Sequence, residues 1–144
     1  MKTGIIIVDH GSRLADSNRL LEEVAAAFSG RYGAQYDIVE PAHMEIASPS
    51  IAEAYGKCVS RGATEIVVVP YFLGPGKHFT QDIPRLACEA ACGHPGTHVR
   101  MAKFLGLDDH MLEILATRVG ESLERPETGL NGISAGERGP ESRS

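Results

Sequence analysis

Two histidines, His10 and His78, each follow a short apolar run: Ile5-Ile6-Ile7-Val8-Asp9 before His10, and Val67-Val68-Val69-Pro70-Tyr71-Phe72 on the way to His78. An imidazole titrates near about 6.5, so at neutral pH it can ligate a divalent transition metal or take up a proton. The stretch Pro41-Ala42-His43-Met44-Glu45 offers a further imidazole and a carboxylate. A carboxylate beside two imidazoles suits Fe²⁺, Co²⁺ or Ni²⁺ better than Ca²⁺ or Mg²⁺. Ser12 and Arg13 closely follow His10, and Lys77 directly precedes His78. With the amides of a glycine-containing loop, they could hold carboxylates or phosphates. Each residue alone has a plainer reading. A loop histidine can cap a strand, Glu45 can be a solvated acid, and His43, nearer its strand, can point into packing. What favours chemistry is convergence, which depends on the elements that carry these residues.

Gly4–Val8 is an unbroken β-branched run, the pattern of a strand buried on both faces in a parallel sheet. From Asp16 to Phe28 the apolar positions Leu20, Leu21, Val24, Ala25 and Phe28 form a helical stripe, with Gly30 and Gly33 expected to stop it. The unit repeats: a strand over 36–39, a loop over 40–49, and a helix over 50–60 with Ser48 as N-cap and Pro49 as its first residue. A third strand over 65–72, the most apolar and the best candidate for the sheet centre, leads into a long loop ending at His78. A helix starts at about Thr80 or Asp82, with Pro84 tolerable only in its first turn. A fourth, edge-like strand covers 97–102, and a last helix covers 108–123 with Met111, Leu112, Leu115 and Val119 facing inward.

Strands alternating with helices predict an α/β fold, a single three-layer sandwich around a four-stranded parallel sheet. Ligands then sit at the carboxyl ends of the strands. If the first and third strands are adjacent, His10 and His78 open on one rim, and Glu45 joins them if the second strand flanks the first. Residues 1–124 read as one domain. Residues 125–144 turn to Arg, Pro, Glu, Gly and Ser and read as a disordered tail.

Against 14 Lys and Arg stand 19 Asp and Glu, a formal net charge of -5. That balance disfavours nucleic-acid binding, so an anionic ligand needs a local basic site. No apolar run approaches the roughly 20 residues of a membrane span. Three cysteines in no secreted-scaffold spacing point to the cytoplasm. Cys88 and Cys92, an i, i+4 pair, read as core or helix-end residues. Phosphate-loop, dinucleotide, GxSxG and HExxH motifs are absent.

Asp9-His10-Gly11-Ser12-Arg13, Met44-Glu45 with Pro49 and Ile51, Val69-Pro70-Tyr71-Phe72-Leu73, Gly76, His78, Asp82-Ile83-Pro84 and Leu105-Gly106 occur in order. Over residues 4–120 they resemble the short sirohydrochlorin chelatases, the CbiX-like class II chelatases. That resemblance implies insertion of Co²⁺ or Fe²⁺ into sirohydrochlorin without ATP, on the route to cobalamin or siroheme. His10 and His78 match the metal-handling histidines, with Glu45 as a further catalytic candidate. The metal is substrate, so no tightly bound cofactor is expected. Ser12, Arg13, Leu73, Gly76, Lys77 and Phe79 become substrate-binding candidates, through charge and amides or through packing on the ring. Larger relatives hold two lobes in one chain, which implies a homodimer here, with Phe72, Phe79 and Phe104 as candidates for the shared patch. Two other readings compete: a non-catalytic carrier of a transition metal or tetrapyrrole, and a phosphoryl-transfer enzyme using His10. The second is disfavoured because Asp9, rather than an arginine, precedes the histidine.

Overall fold

The computed structural model describes residues 2–125, apart from the side chains of residues 77–79. In chain order the elements are β1 (Lys2–Asp9), α1 (Ala15–Tyr32), β2 (Ile38–His43), α2 (Ile51–Ser60), β3 (Ala63–Pro70), α3 (Lys77–Cys92), β4 (His98–Met101) and α4 (Asp109–Glu124). The four strands form one parallel sheet in the order β2-β1-β3-β4. β1 is thus flanked by β2 and β3, as convergence on one rim requires, and β4 lies at an edge.

Successive side chains of a strand point to opposite faces, so the apolar run of β1 feeds two cores. Ile6 and Val8, with Ile66 and Val68 of β3, meet Ile51, Ala54, Tyr55 and Cys58 of α2 and Ile83, Ala87 and Ala90 of α3. Ile5 and Ile7, with Val39 of β2, meet Leu21 and Ala25 of α1. Helix, sheet and helix make the three layers. The Cys58 sulfur fits where Gly4 lacks a side chain, since a Cβ on Gly4 would lie 3.0 Å from it. Burial, reinforced by the Glu40 carboxylate, pushes the Cys58 thiol up to about 12.

Several boundaries differ from expectation. β2 runs on through Glu40 and Pro41 to His43, where a loop was expected. A proline lacks the N–H of a ladder, but β2 is an edge strand and can tolerate it. α1 passes Gly30 and stops at Gly33, its last turn held by ring contacts of Phe28 with Tyr32 and Tyr36. Ser50, not Ser48, caps α2 in a capping box with Glu53. α3 begins at Lys77, so His78 lies in its first turn rather than on a loop, and Pro84 falls inside the helix. Cys88 and Cys92 are exposed, and Cys92 ends α3.

Met1–Gly106 form one compact unit and Leu107 opens a second, whose described part is α4. Asp108 caps this helix by accepting from the His110 N–H. None of its residues is buried, so Leu112, Leu115 and Val119 form an exposed stripe rather than an inner face. The expected tail over residues 125–144 lies, apart from Arg125, outside the described residues.

Candidate active site

The β1–β2 ladder ends at the pair Asp9 and His43, but the backbones keep pairing beyond it. Met44 N–H donates to the Asp9 carbonyl at 2.8 Å, and Glu45 N–H donates to the His10 carbonyl at 3.1 Å. These two rungs bring the His10 and Glu45 side chains together, with His10 Nε2 lying 3.2 Å from Glu45 Oε2. Both groups remain about half exposed, at 46% and 56%, so they face a site rather than a core.

The turn that delivers them is tight and strained. Gly11 adopts φ +93, and a Cβ there would overlap the Glu45 carbonyl oxygen. Only glycine can pass the second loop this closely with that backbone. Directly after Glu45, Ile46 takes φ 76 and the Ala47 N–H donates back to the Glu45 carbonyl. A β-branched residue with positive φ is an outlier that the surroundings must enforce, and such strain gathers at functional sites.

Beneath this pair lies a residue couple that spacing alone did not single out. His43 is fully buried, as its place near the strand suggested, and its Nδ1 lies 2.6 Å from Asp9 Oδ1. Finding the couple requires the β1–β2 register, because Asp9 and His43 become neighbours only as the last cross-strand pair.

Asp9 and His10 line a hollow of about 290 Å³ with Leu20, Tyr71 and Phe72. Leu20, at 56%, and Tyr71, at 39%, expose much of their surface. A larger hollow of about 530 Å³ runs along α2 past Ser48, Glu53 and Lys57, but no imidazole lines it. Size therefore does not mark the site. On the β4 side of Phe72 a smaller apolar hollow of about 170 Å³ is lined by Pro75, Met101 and Phe104, with Lys103.

The remaining candidates fall around this rim. Ser12 Oγ accepts from the Leu14 N–H, and the Ser12 backbone is clasped at both ends by the Asn18 amide, so Ser12 holds the loop together. Arg13 is exposed on the same loop. Leu73 is exposed, and Gly76, with extended backbone, is the N-cap of α3. The side chains of Lys77, His78 and Phe79 lie outside the described residues. Among the described residues no third His, Cys, Asp or Glu joins His10 and Glu45 in a metal-holding cluster.

The CbiX family model matches residues 4–122. The chain belongs to the CbiX family. A chloroplastic sirohydrochlorin ferrochelatase of Arabidopsis thaliana is 45% identical over 86% of this chain and 54% of its own length. A sirohydrochlorin cobaltochelatase of Sulfurisphaera tokodaii is 34% identical over 83% of this chain and 93% of its own. The sirohydrochlorin chelatase SirB of Bacillus subtilis, solved with cobalt, superposes with a TM-score of 0.70 at 31% identity, covering 84% of this chain and 51% of SirB. This CbiX chain thus spans about half the length of the plant and Bacillus relatives. No helix among its described residues is long and apolar enough to cross a membrane.

Proposed function

We infer that this CbiX protein inserts Co²⁺ or Fe²⁺ into sirohydrochlorin without ATP. The observation that carries the reading is the His10–Glu45 pair, 3.2 Å apart on one strand-end rim beside the hollow floored by Tyr71 and Phe72. Metal insertion requires that the ion lose water, that the ring open one face to it, and that pyrrole N–H protons leave as metal–nitrogen bonds form. A half-exposed imidazole suits the first and the last of these demands. His10 ligates the ion while the ring approaches, and then, as the ion passes to the ring nitrogens, takes up a released pyrrole proton. Glu45 accepts from the protonated imidazole and offsets its charge. In this reading His78 supplies the second imidazole from the first turn of α3.

The substrate is an apolar disc fringed with carboxylates. Leu20, Tyr71 and Leu73 offer exposed apolar surface to the disc, and Phe79 is a further candidate from the sequence. Arg13, Lys77 and the amides near Ser12 and Gly76 meet the fringe. One lobe covers one side of such a ring, so we propose that two copies pair to close a cleft, with Phe72 and Phe104 near the shared patch. The two-lobe length of SirB supports that pairing. Sedimentation at micromolar concentration then gives twice the chain mass.

The reading is tested by mixing the protein with sirohydrochlorin and Co²⁺, Fe²⁺ or Ni²⁺ in turn and following the macrocycle absorbance. Catalysed insertion of Co²⁺ or Fe²⁺ above the uncatalysed rate is expected. Stoichiometric metal or ring binding with no acceleration for any ion would identify a carrier and overturn it.

A further inference from the structure

His43 is an expensive choice for a packing residue. Its side chain has no exposed surface, and its Nε2 has no hydrogen-bond partner among the described residues. A buried nitrogen without a partner loses its hydration with nothing in return. A phenylalanine would fill the same space without that loss, so packing alone does not explain an imidazole here. The difference must lie in the other nitrogen. A carboxylate only accepts, so His43 Nδ1 carries the proton and donates to Asp9 Oδ1 at 2.6 Å.

That bond is placed where it can act on the site. Asp9 and His43 form the last register pair of β1 and β2, and the next two backbone rungs are Met44 to Asp9 and Glu45 to His10. His43 is itself pinned from outside, its N–H donating to the Pro49 carbonyl at 2.8 Å. The His43–Asp9 bond is therefore a side-chain rung joining the two strand ends from which His10 and Glu45 project. We propose that His43 is a positioning residue: through Asp9 it sets the separation and aim of the His10–Glu45 pair. The inference rests on the reading of that pair as the acting groups.

The test uses variants that separate the bond from the packing. His43→Phe keeps a ring in the core, one ring atom larger than the imidazole, and removes the donor. His43→Asn keeps a donor at the place of Nδ1, because its amide nitrogen is the same number of bonds from the backbone, but loses ring volume. For His43→Phe, kcat is expected to fall at least about tenfold, with KM for sirohydrochlorin little changed and melting temperature falling no further than in His43→Asn. For His43→Asn, melting temperature falls while kcat recovers most of the wild-type value. Asp9→Ala, which leaves the His43 ring in place, should reproduce the kcat loss, and the His43→Phe/Asp9→Ala double variant should be no worse than the worse single one.

A second readout needs no turnover. The visible spectrum of Co²⁺ added to the protein alone should shift in His43→Phe and not in His43→Asn. Near-wild-type kcat in His43→Phe, kcat losses that follow melting temperature across the variants, or losses that multiply in the double variant would each overturn the inference. If the wild-type protein inserts no metal, the proposed function fails on its own, and the Co²⁺ spectra still decide whether His43 positions the pair.

Discussion

The wall of the site built by β1 and β2 presents His10 and Glu45 from loops whose backbones go on pairing past the sheet. The opposite wall of the proposed site, β3 and α3, carries His78 on the first turn of a helix that starts after Gly76 with no side-chain cap, following Gly74 and Pro75. In the first wall, two residues far apart in sequence are set by register, a close glycine crossing and a buried side-chain bond. In the second, position follows from where a helix happens to begin. A reaction in which an ion is first held and then given up can use both kinds of support. One holds a pair at constant spacing, and the other lets a ligand be placed by local turn geometry.

The sharpest way to break this comparison is to remove the imidazoles. His10→Ala and His78→Ala should each lower insertion by about 10²-fold or more, with circular dichroism and melting temperature close to wild type. His10 is half exposed and holds little of the core together. Near-native turnover in either variant, measured with Co²⁺ and sirohydrochlorin, would remove that wall from the reaction.

Two glycines then measure how tightly each wall is built. Gly11→Ala must place a side chain against the Glu45 carbonyl at φ +93, and should cost about 2 kcal/mol or more in chemical denaturation. Gly74→Ala meets nothing within 4 Å and should change stability by less than about 0.5 kcal/mol. Equal costs would mean that the two walls are built alike.

Smaller effects are expected from the charges around the rim. Arg13→Ala and Lys77→Ala should raise KM several-fold with kcat nearly unchanged, because a carboxylate anchor acts on ground and transition state alike. A fall in kcat alone would assign them to the chemistry instead. The smallest change concerns the entry to α2. There the Ser50 backbone N–H, helped by the Ser48 hydroxyl, holds the Glu53 carboxyl below its usual value of 4.5. A depressed carboxylate stabilises the fold above its ordinary range and loses that contribution as pH falls through its lowered value. Glu53→Gln should therefore lower the melting temperature by no more than about two degrees at pH 7, and the gap should close in acid.

Much of the first wall was legible before any coordinates. Strands buried on both faces are written as unbroken apolar runs, so β1 and β3 stand out, and the rim follows from their adjacency. β2 was cut short because Glu40 and Pro41 look like a loop, and only an edge position makes that proline acceptable. The start of α3 was missed for the opposite reason, since Gly76-Lys77-His78 contains no capping side chain to announce a helix. The Asp9–His43 bond was out of reach, because a buried histidine and a loop histidine look the same until strand register is known. α4 shows how far periodicity carries. Its apolar stripe is real, yet none of its residues is buried, since spacing marks a face without supplying what covers it.

Cys58 bears on a different matter, what a buried thiol offers to a soft cation. With its thiol pushed up to about 12, Cys58 stays protonated at neutral pH. No path leads to it, because it is packed beneath Gly4 and Ala63. A sulfur of this kind gives the core a small, dense, polarisable filler that a metal ion in solution does not meet. A thiol-reactive reagent would find Cys88 and Cys92 in the native protein and meet Cys58 only after unfolding. The cysteine thiols at the surface of the folded chain are therefore Cys88 and Cys92, while the one in its core stays chemically silent.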